Sequence, residues 1–365
     1  MPDFISGLRL SGLFFGEAVR PILDAEFPSV PYSAALIGDG SEVLGFDTEM
    51  SADHHWGPRV MLFFKDSDFE EYRERVRETL RHRLPHSFQG YPTNFTDPDP
   101  TEGVTQLLQA IEHGPVNHRI DILTPRGFIL AHLNFDIDRD IEPADWLTFP
   151  EQKLRTLTEG AVYHDDIGLQ AVRDRFAYYP HDVWLYLLAA SWARIGEEEH
   201  LMGRAGYVGD EIGSALIGAR LVRDMMRLCF LMEKQYAPYP KWFGTAFARL
   251  ACAAELAPIL RRALLAETWQ EREKHLCAAY ECVAAMHNAL GMTEPLPDRV
   301  SGFHGRPFRV IHGERFADSI AARIADPAVR RIASSRLIGG IDQFRDSTAL
   351  LEDQDRRPVL RRLYE

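Results

Sequence analysis

Gly40-Ser41 closes an apolar run, and Asp53-His54-His55 follows after a loop. These residues have the types and spacing to hold a phosphate and a cation together. Glycine lets a backbone approach a phosphate closely, and serine donates from its hydroxyl and its amide. Asp53 would ligate a divalent cation, Mg²⁺ or Mn²⁺, bridging triphosphate oxygens. Residues two apart on a strand face the same way, so His55 would join Asp53 as a ligand. Asp121, within His118-Arg119-Ile120-Asp121-Ile122-Leu123, would bring another carboxylate from a neighbouring strand. Such a set aligns an attacking hydroxyl and neutralises a leaving pyrophosphate. Asp47 and Glu49 form a second acidic pair, but they follow Gly40-Ser41 too closely to rank with Asp53.

The elements needed to position these groups can be read from periodicity. Residues 5–25 have helical spacing, ending at or soon after Pro21. Residues 34–37 and 59–64 read as buried strands, the second apolar on both faces. Pro58 cannot donate to a sheet ladder and points to an edge or a bulge. Residues 69–83 form a charge-rich helix, 85–103 a loop and 104–113 a helix, while 117–123 and 126–130 read as two strands. From Trp146 the pattern becomes helical, over 150–160, 166–176, 180–196, 208–236, 241–264 and 267–290. The expectation is an α+β chain: a mixed sheet with flanking helices in 1–145, then an all-α helical bundle in 146–365 that binds substrate or nucleotide.

That second half offers a phosphate wall. Arg220, Arg223 and Arg227 are spaced i, i+3, i+7 and line one helical face. Guanidinium reads phosphate bidentately, so a row suits a polyanion. The alternative is an ion-paired face, with Asp210, Glu211 and Asp224 as partners. Lys241, after two prolines and at a first helical turn, would reach a β- or γ-phosphate. Glu211, with Asp210, is the first choice of general base, because Gly203, Gly206 and Gly209 suggest a loop approaching the site. His164, His181, His287 and His304 read as structural histidines with no metal-ligand spacing.

Composition narrows the partners. The 365-residue chain has 45% apolar residues and a formal charge of −13. Its length predicts two domains, and its acidity argues against a general nucleic-acid binder. No apolar run approaches the ~20 residues that span a bilayer, and no secretory signal is visible. Cys229, Cys252, Cys277 and Cys282 form no CxxC pair and read as reduced thiols in a cytoplasmic protein.

The pattern resembles the signature of the polymerase-β-type nucleotidyltransferases: apolar-Gly-Ser, a spacer, an acidic pair and a later Asp on a strand. Ser41, Asp53 and Asp121 fall on the motif positions. The helical second half is similar to that of the superfamily's small-molecule members, the aminoglycoside nucleotidyltransferases. Over nearly its whole length the chain further resembles an uncharacterised bacterial family, a domain of unknown function within this superfamily. DHHWGPR at 53–59, YYPHDVWLYLLAA at 178–190, GDEIGSALIGARLVRDMMRLCFLMEKQYAPYPKWFGTAF at 209–247, HNALG at 287–291 and DQFRDST at 342–348 carry that likeness. The resemblance implies a metal-dependent transfer of a nucleoside monophosphate from an NTP, such as ATP, to a small-molecule or protein acceptor. Gly40, Ser41, Arg220, Arg223, Arg227 and Lys241 would hold the nucleotide; Asp53, Asp121 and Glu211 would act in the chemistry. His55 stands where the superfamily has a second carboxylate, and Mg²⁺ prefers oxygen donors. The alternative is therefore a catalytically degenerate nucleotide-binding regulator with a protein partner. A third reading is a hydrolytic Mn²⁺ or Fe²⁺ site built from Asp53, His54, His55 and Asp121.

Overall fold

The computed structural model describes residues 3–51, 55–98 and 105–365. The chain divides into two compact units. The first holds residues 1–140 and 153–177, and the second 141–152 and 178–365. The division is discontinuous, unlike a single cut at 145/146, because residues 153–177 return to the sheet.

The first unit is built on strands β1 (Ser33–Leu36), β2 (Arg59–Phe63), β5 (Arg119–Leu123) and β6 (Ala161–Asp165), in the order β5-β2-β1-β6. A small hairpin, β3 (Ser87–Phe88) with β4 (Tyr91–Pro92), lies between β2 and β5 in sequence. β1 is antiparallel to β2 and β6, while β2 and β5 run parallel. Every residue of β2 is buried, as its two-sided apolar pattern requires. Pro58 lies just ahead of β2, which is an interior strand, so the expected edge or bulge is not found there. Ala34, Val60, Leu62, Ile120 and Ile122 point into one core with Leu10, Phe14, Val76 and Leu80. On the other face Phe63 meets Phe128 edge-on, and His132 stacks on Phe128.

Three local expectations for this unit are corrected. Residues 125–133 form a helix, not a strand: Thr124 Oγ1 accepts from the Gly127 amide and Pro125 occupies the first turn. Residues 105–113 are not helical: Leu108 bridges Phe95 and the Gln109 amide donates to the Asn94 carbonyl. β6 takes residues 161–165, just ahead of the stretch 166–176 read as one helix, of which only Leu169–Asp174 is helical. The helix expected over 5–25 is found, and it runs through Pro21 to Glu26. Its pieces Gly7–Phe14, Phe15–Val19 and Arg20–Glu26 are continuous, and the middle one is a π turn that accommodates the missing proline donor.

The second unit is helical. Helices His181–Tyr207 and Glu211–Met232 pack along each other, joined by Trp269–Ala289 and Gly313–Ala321. The stretch read as one helix over 241–264 is two, Pro240–Phe247 and Ala253–Leu265. Between them Glu233 accepts the amides of Ala251 and Cys252. Gly203 and Gly206 lie inside a helix, not a loop, and allow close approach of Phe308 and Trp269. The unit also carries a hairpin, β7 (Ser301–Phe303) with β8 (Arg306–Val310). Near the C-terminus, Arg357 and Arg361 both bind the fully buried Asp145. Cys229 and Cys277 are buried free thiols. Among the described residues no helix is long and apolar enough to cross a membrane.

Candidate functional site

β1 runs out through Ile37 into a turn with two left-handed glycines, Gly38 at φ +78° and Gly40 at φ +139°. The Gly38 amide donates to the Thr156 carbonyl, 2.8 Å away. A Cβ on Gly40 would lie 2.6 Å from both Arg59 Nη2 and Glu42 Oε2, so only glycine fits. Ser41 opens the following turns, its carbonyl accepting from the Phe46 amide.

Cations surround this turn. Arg59, the first residue of β2, donates from Nε to Glu42 Oε1 at 2.8 Å and from Nη2 to the Asp39 carbonyl at 2.8 Å. Arg59 and Glu42 are both buried, so their attraction acts in a weakly screening environment. Lys153, itself buried, reaches to 3.5 Å from the exposed Asp39 carboxylate. His132 Nε2 lies 3.0 Å from the Lys153 carbonyl, in the helix Glu151–Thr158, and ties it to the helix 125–133. Burial, with Lys153 adding to it, pushes His132 down to about 4, so its imidazole is neutral at pH 7.

The parallel register continues the cationic strip. Arg59 is opposite Arg119, and Met61 is opposite Asp121. Arg119 and Asp121 point away from the buried Ile120 and Ile122, so they share the face that carries Arg59. Burial and then Arg59 hold Arg119 below its ordinary range, against the pull of Asp121 and Glu42. Arg119 also hydrogen-bonds His55 Nδ1. Arginine can only donate, so Nδ1 accepts and the ring proton of the neutral imidazole sits on Nε2. Neither ring nitrogen of that His55 offers a metal a lone pair.

The residues singled out in sequence fall as follows. Gly40, Ser41 and Asp121 lie in the sheet unit, Ser41 in the turn and Asp121 on β5. Asp53, with His54, lies outside the described residues. His55 sits in a bend with φ +55°, ahead of β2, so the strand argument that placed it beside Asp53 does not hold. Asp47 accepts from the Gly7 amide and Trp56 Nε1 and pins the loop. Among the described residues, no three His, Cys, Asp or Glu side chains converge to hold a metal. With Glu42 tied to Arg59, Asp39 beside Lys153, Asp121 on a face with two guanidiniums and His55 engaged, the described donors suit an anion and do not fit a divalent cation. Arg59, Arg119 and Lys153 are the residues that sequence reasoning missed. Two arginines opening adjacent strands were a usable signal; nothing local marked Lys153.

In the helical unit, carboxylates from three different elements meet the arginine row. Arg220 pairs with Glu198, Arg223 with Asp346, and Arg227 lies 4.0 Å from Glu151 and over the Phe243 ring. Lys241 is exposed, over its neighbour Trp242 at 4.8 Å. Glu211 accepts from the Trp269 amide and Arg272 and holds helices together. Asp210 caps the same helix by accepting from the Gly213 amide. Glu151 and Gln152 accept the amides of Ala237 and Tyr239, which docks the proline-containing loop before Lys241.

Residues 146–243 match the family model described as a domain of unknown function, DUF4037. No curated protein matches. Among solved structures, the chain is similar to a nucleotidyltransferase-like protein from Exiguobacterium sibiricum 255-15, at 11% identity and a TM-score of 0.33. That similarity covers 79% of this chain and 82% of the other.

Proposed function

We propose that the sheet unit binds the triphosphate of a nucleoside triphosphate, ATP being the first to test, at the Gly38–Ser41 turn. One observation carries the reading: a turn in which only glycine fits at position 40 is flanked by Arg59 and Lys153, with Arg119 next along the same sheet face. Backbone amides and guanidiniums are the groups that grip phosphate oxygens. In this reading the chain moves a nucleoside monophosphate to a hydroxyl or amine of a small molecule or protein and releases pyrophosphate. Asp121 is the carboxylate on that face and would take the acceptor's proton. Arg220, Arg223 and Glu211 have partners of their own, so the reading gives them no part in the chemistry. The Mg²⁺ or Mn²⁺ expected from sequence is an arm of the test.

A second reading is a regulator that binds nucleotide without transferring it. It is favoured by His55, whose Nδ1 accepts from Arg119 where a ligating acid is expected. Calorimetry with ATP, with and without Mg²⁺ or Mn²⁺, measures binding; a pyrophosphate-release assay over hydroxyl and amine acceptors measures transfer. Binding with release supports the transferase, and binding without release supports the regulator. Absence of ATP binding under every metal condition sinks both.

A further inference from the structure

One buried cationic cluster lies wholly within the helical unit. Arg345 follows the short helix Ile341–Phe344. That helix is fixed by Gln343, whose Nε2 donates to the Leu187 carbonyl at 2.9 Å and to Ser191 Oγ at 2.6 Å. Its first amide, of Ile341, donates to the Leu147 carbonyl. Arg345 is only 8% exposed, yet its Nε, Nη1 and Nη2 have no hydrogen-bond partner among the described residues. Arg227 Nε and Nη1 are in the same condition.

The two guanidiniums both act on the Asp342 carboxylate. Asp353 adds a more distant pull on Arg345, and Glu151 stands 4.0 Å from Arg227. Those acceptors have other donors. Asp342 Oδ2 takes the Glu151 amide at 2.8 Å, and Glu151 Oε2 takes the Ala237 amide at 2.9 Å. Phe243 covers the face of Arg227 and leaves the in-plane N–H groups to find partners. Buried donors are almost always satisfied, and a guanidinium left without acceptors is costly. Two rigidly held forks with unused N–H groups have the chemistry of a site that a bidentate oxyanion completes.

We propose that Arg227 and Arg345 form an oxyanion site in the helical unit that takes a phosphoryl group, either free or at the end of a larger ligand. The choice of phosphate over other oxyanions rests on the nucleotide reading above; the site itself does not. Asp342 orients the two arginines between them and is a positioning residue.

The test is a calorimetric titration of the full chain with pyrophosphate and, separately, inorganic phosphate, in an Arg119→Gln background that weakens the turn site. Saturable pyrophosphate binding is expected, at least tenfold weaker when Arg345→Gln or Arg227→Gln is added and intermediate for Arg345→Lys. Pyrophosphate is expected to raise the melting temperature of the parent, and Arg345→Gln to abolish that rise without lowering the unligated melting temperature. If phosphate binds as tightly as pyrophosphate, one phosphoryl group fills the site; if only pyrophosphate binds, the ligand bridges both arginines. No binding of either anion overturns the proposal, as does undiminished binding in Arg345→Gln. If Arg345→Gln fails to fold, unchanged affinity in Arg345→Lys overturns it. ATP binding that fails in the intact chain while Arg345-dependent pyrophosphate binding persists sinks only the nucleotide reading.

Discussion

The turn of the sheet unit and the arginine row of the helical unit are both cationic, and they differ in how the charge is neutralised. At the turn, Arg59 has one buried partner, Glu42, while Arg119 bonds a neutral histidine and Lys153 reaches toward an exposed carboxylate. In the row, Arg220 and Arg223 face Glu198 and Asp346, each from another element. Helical spacing aligned the arginines, but it could not show what stands opposite them. An exposed arginine answered by its own carboxylate is helix packing; Arg119, bonded to a neutral histidine instead, has an anion to gain.

The largest expected contrast is in stability. Glu42→Gln leaves Arg59 buried without its counter-ion and should cost about 3–5 kcal/mol. Glu198→Gln breaks a pair whose arginine is 54% exposed and should cost roughly 0–1 kcal/mol. Urea unfolding of both variants checks this, and equal losses would erase the distinction between the regions.

Acid should separate the units next. His132 and His118, in the sheet unit, are each held down to about 4 by burial. The unfolded chain takes up protons at histidines of ordinary pKa near 6.5, so these two stabilise fully above that pH and lose their contribution as it falls toward 4. For His132 the full span is worth about 3 kcal/mol. In the helical unit His287 has the same sign. It is opposed by Glu199, which burial pushes up to about 7 although its oxygens accept the Ile311 and Gly313 amides. A raised carboxyl favours the folded state at low pH and loses that contribution as pH rises through about 7. Hydrogen exchange at pH 4.5 should therefore show β1, β2 and β5 losing protection before helix His181–Tyr207; the reverse order would contradict the assignment.

The smallest and most specific effect is on ligand binding. Arg119→Gln should weaken ATP binding about 10- to 100-fold, the worth of one charge-assisted hydrogen bond. Arg220→Gln should leave it within twofold. Calorimetry on the two variants decides the matter, and a larger loss for Arg220 would move the phosphate site to the helical face.

Much of the frame was legible in the sequence. The buried strands at 34–37 and 59–64, the helix before Arg83 and the long helices after Pro180 announced themselves by periodicity, because burial on one or both faces constrains every second or every third and fourth residue. Residues 125–133 misled because Phe128, Ile129 and Leu130 in a row read as a strand, while the Thr124 cap and Pro125 decided for helix. β6 was missed because Ala161-Val162-Tyr163-His164-Asp165 is half polar and joins a sheet built by residues about 130 positions earlier.

What the sequence determined alone is local: a glycine turn after a buried strand, a carboxylate on a second strand, and an acidic chain with a helical second half. Gly40 is glycine for a reason visible only in three dimensions, since its φ of +139° strains any side chain and the Arg59–Glu42 pair lies against it. Lys153 beside Asp39, Arg119 on His55, and Arg345 near Asp342 with its donors unused were likewise decided by tertiary structure. The physical reason is that periodicity reports which face is buried, whereas the partner of a charge is set by whichever distant segment folds against it.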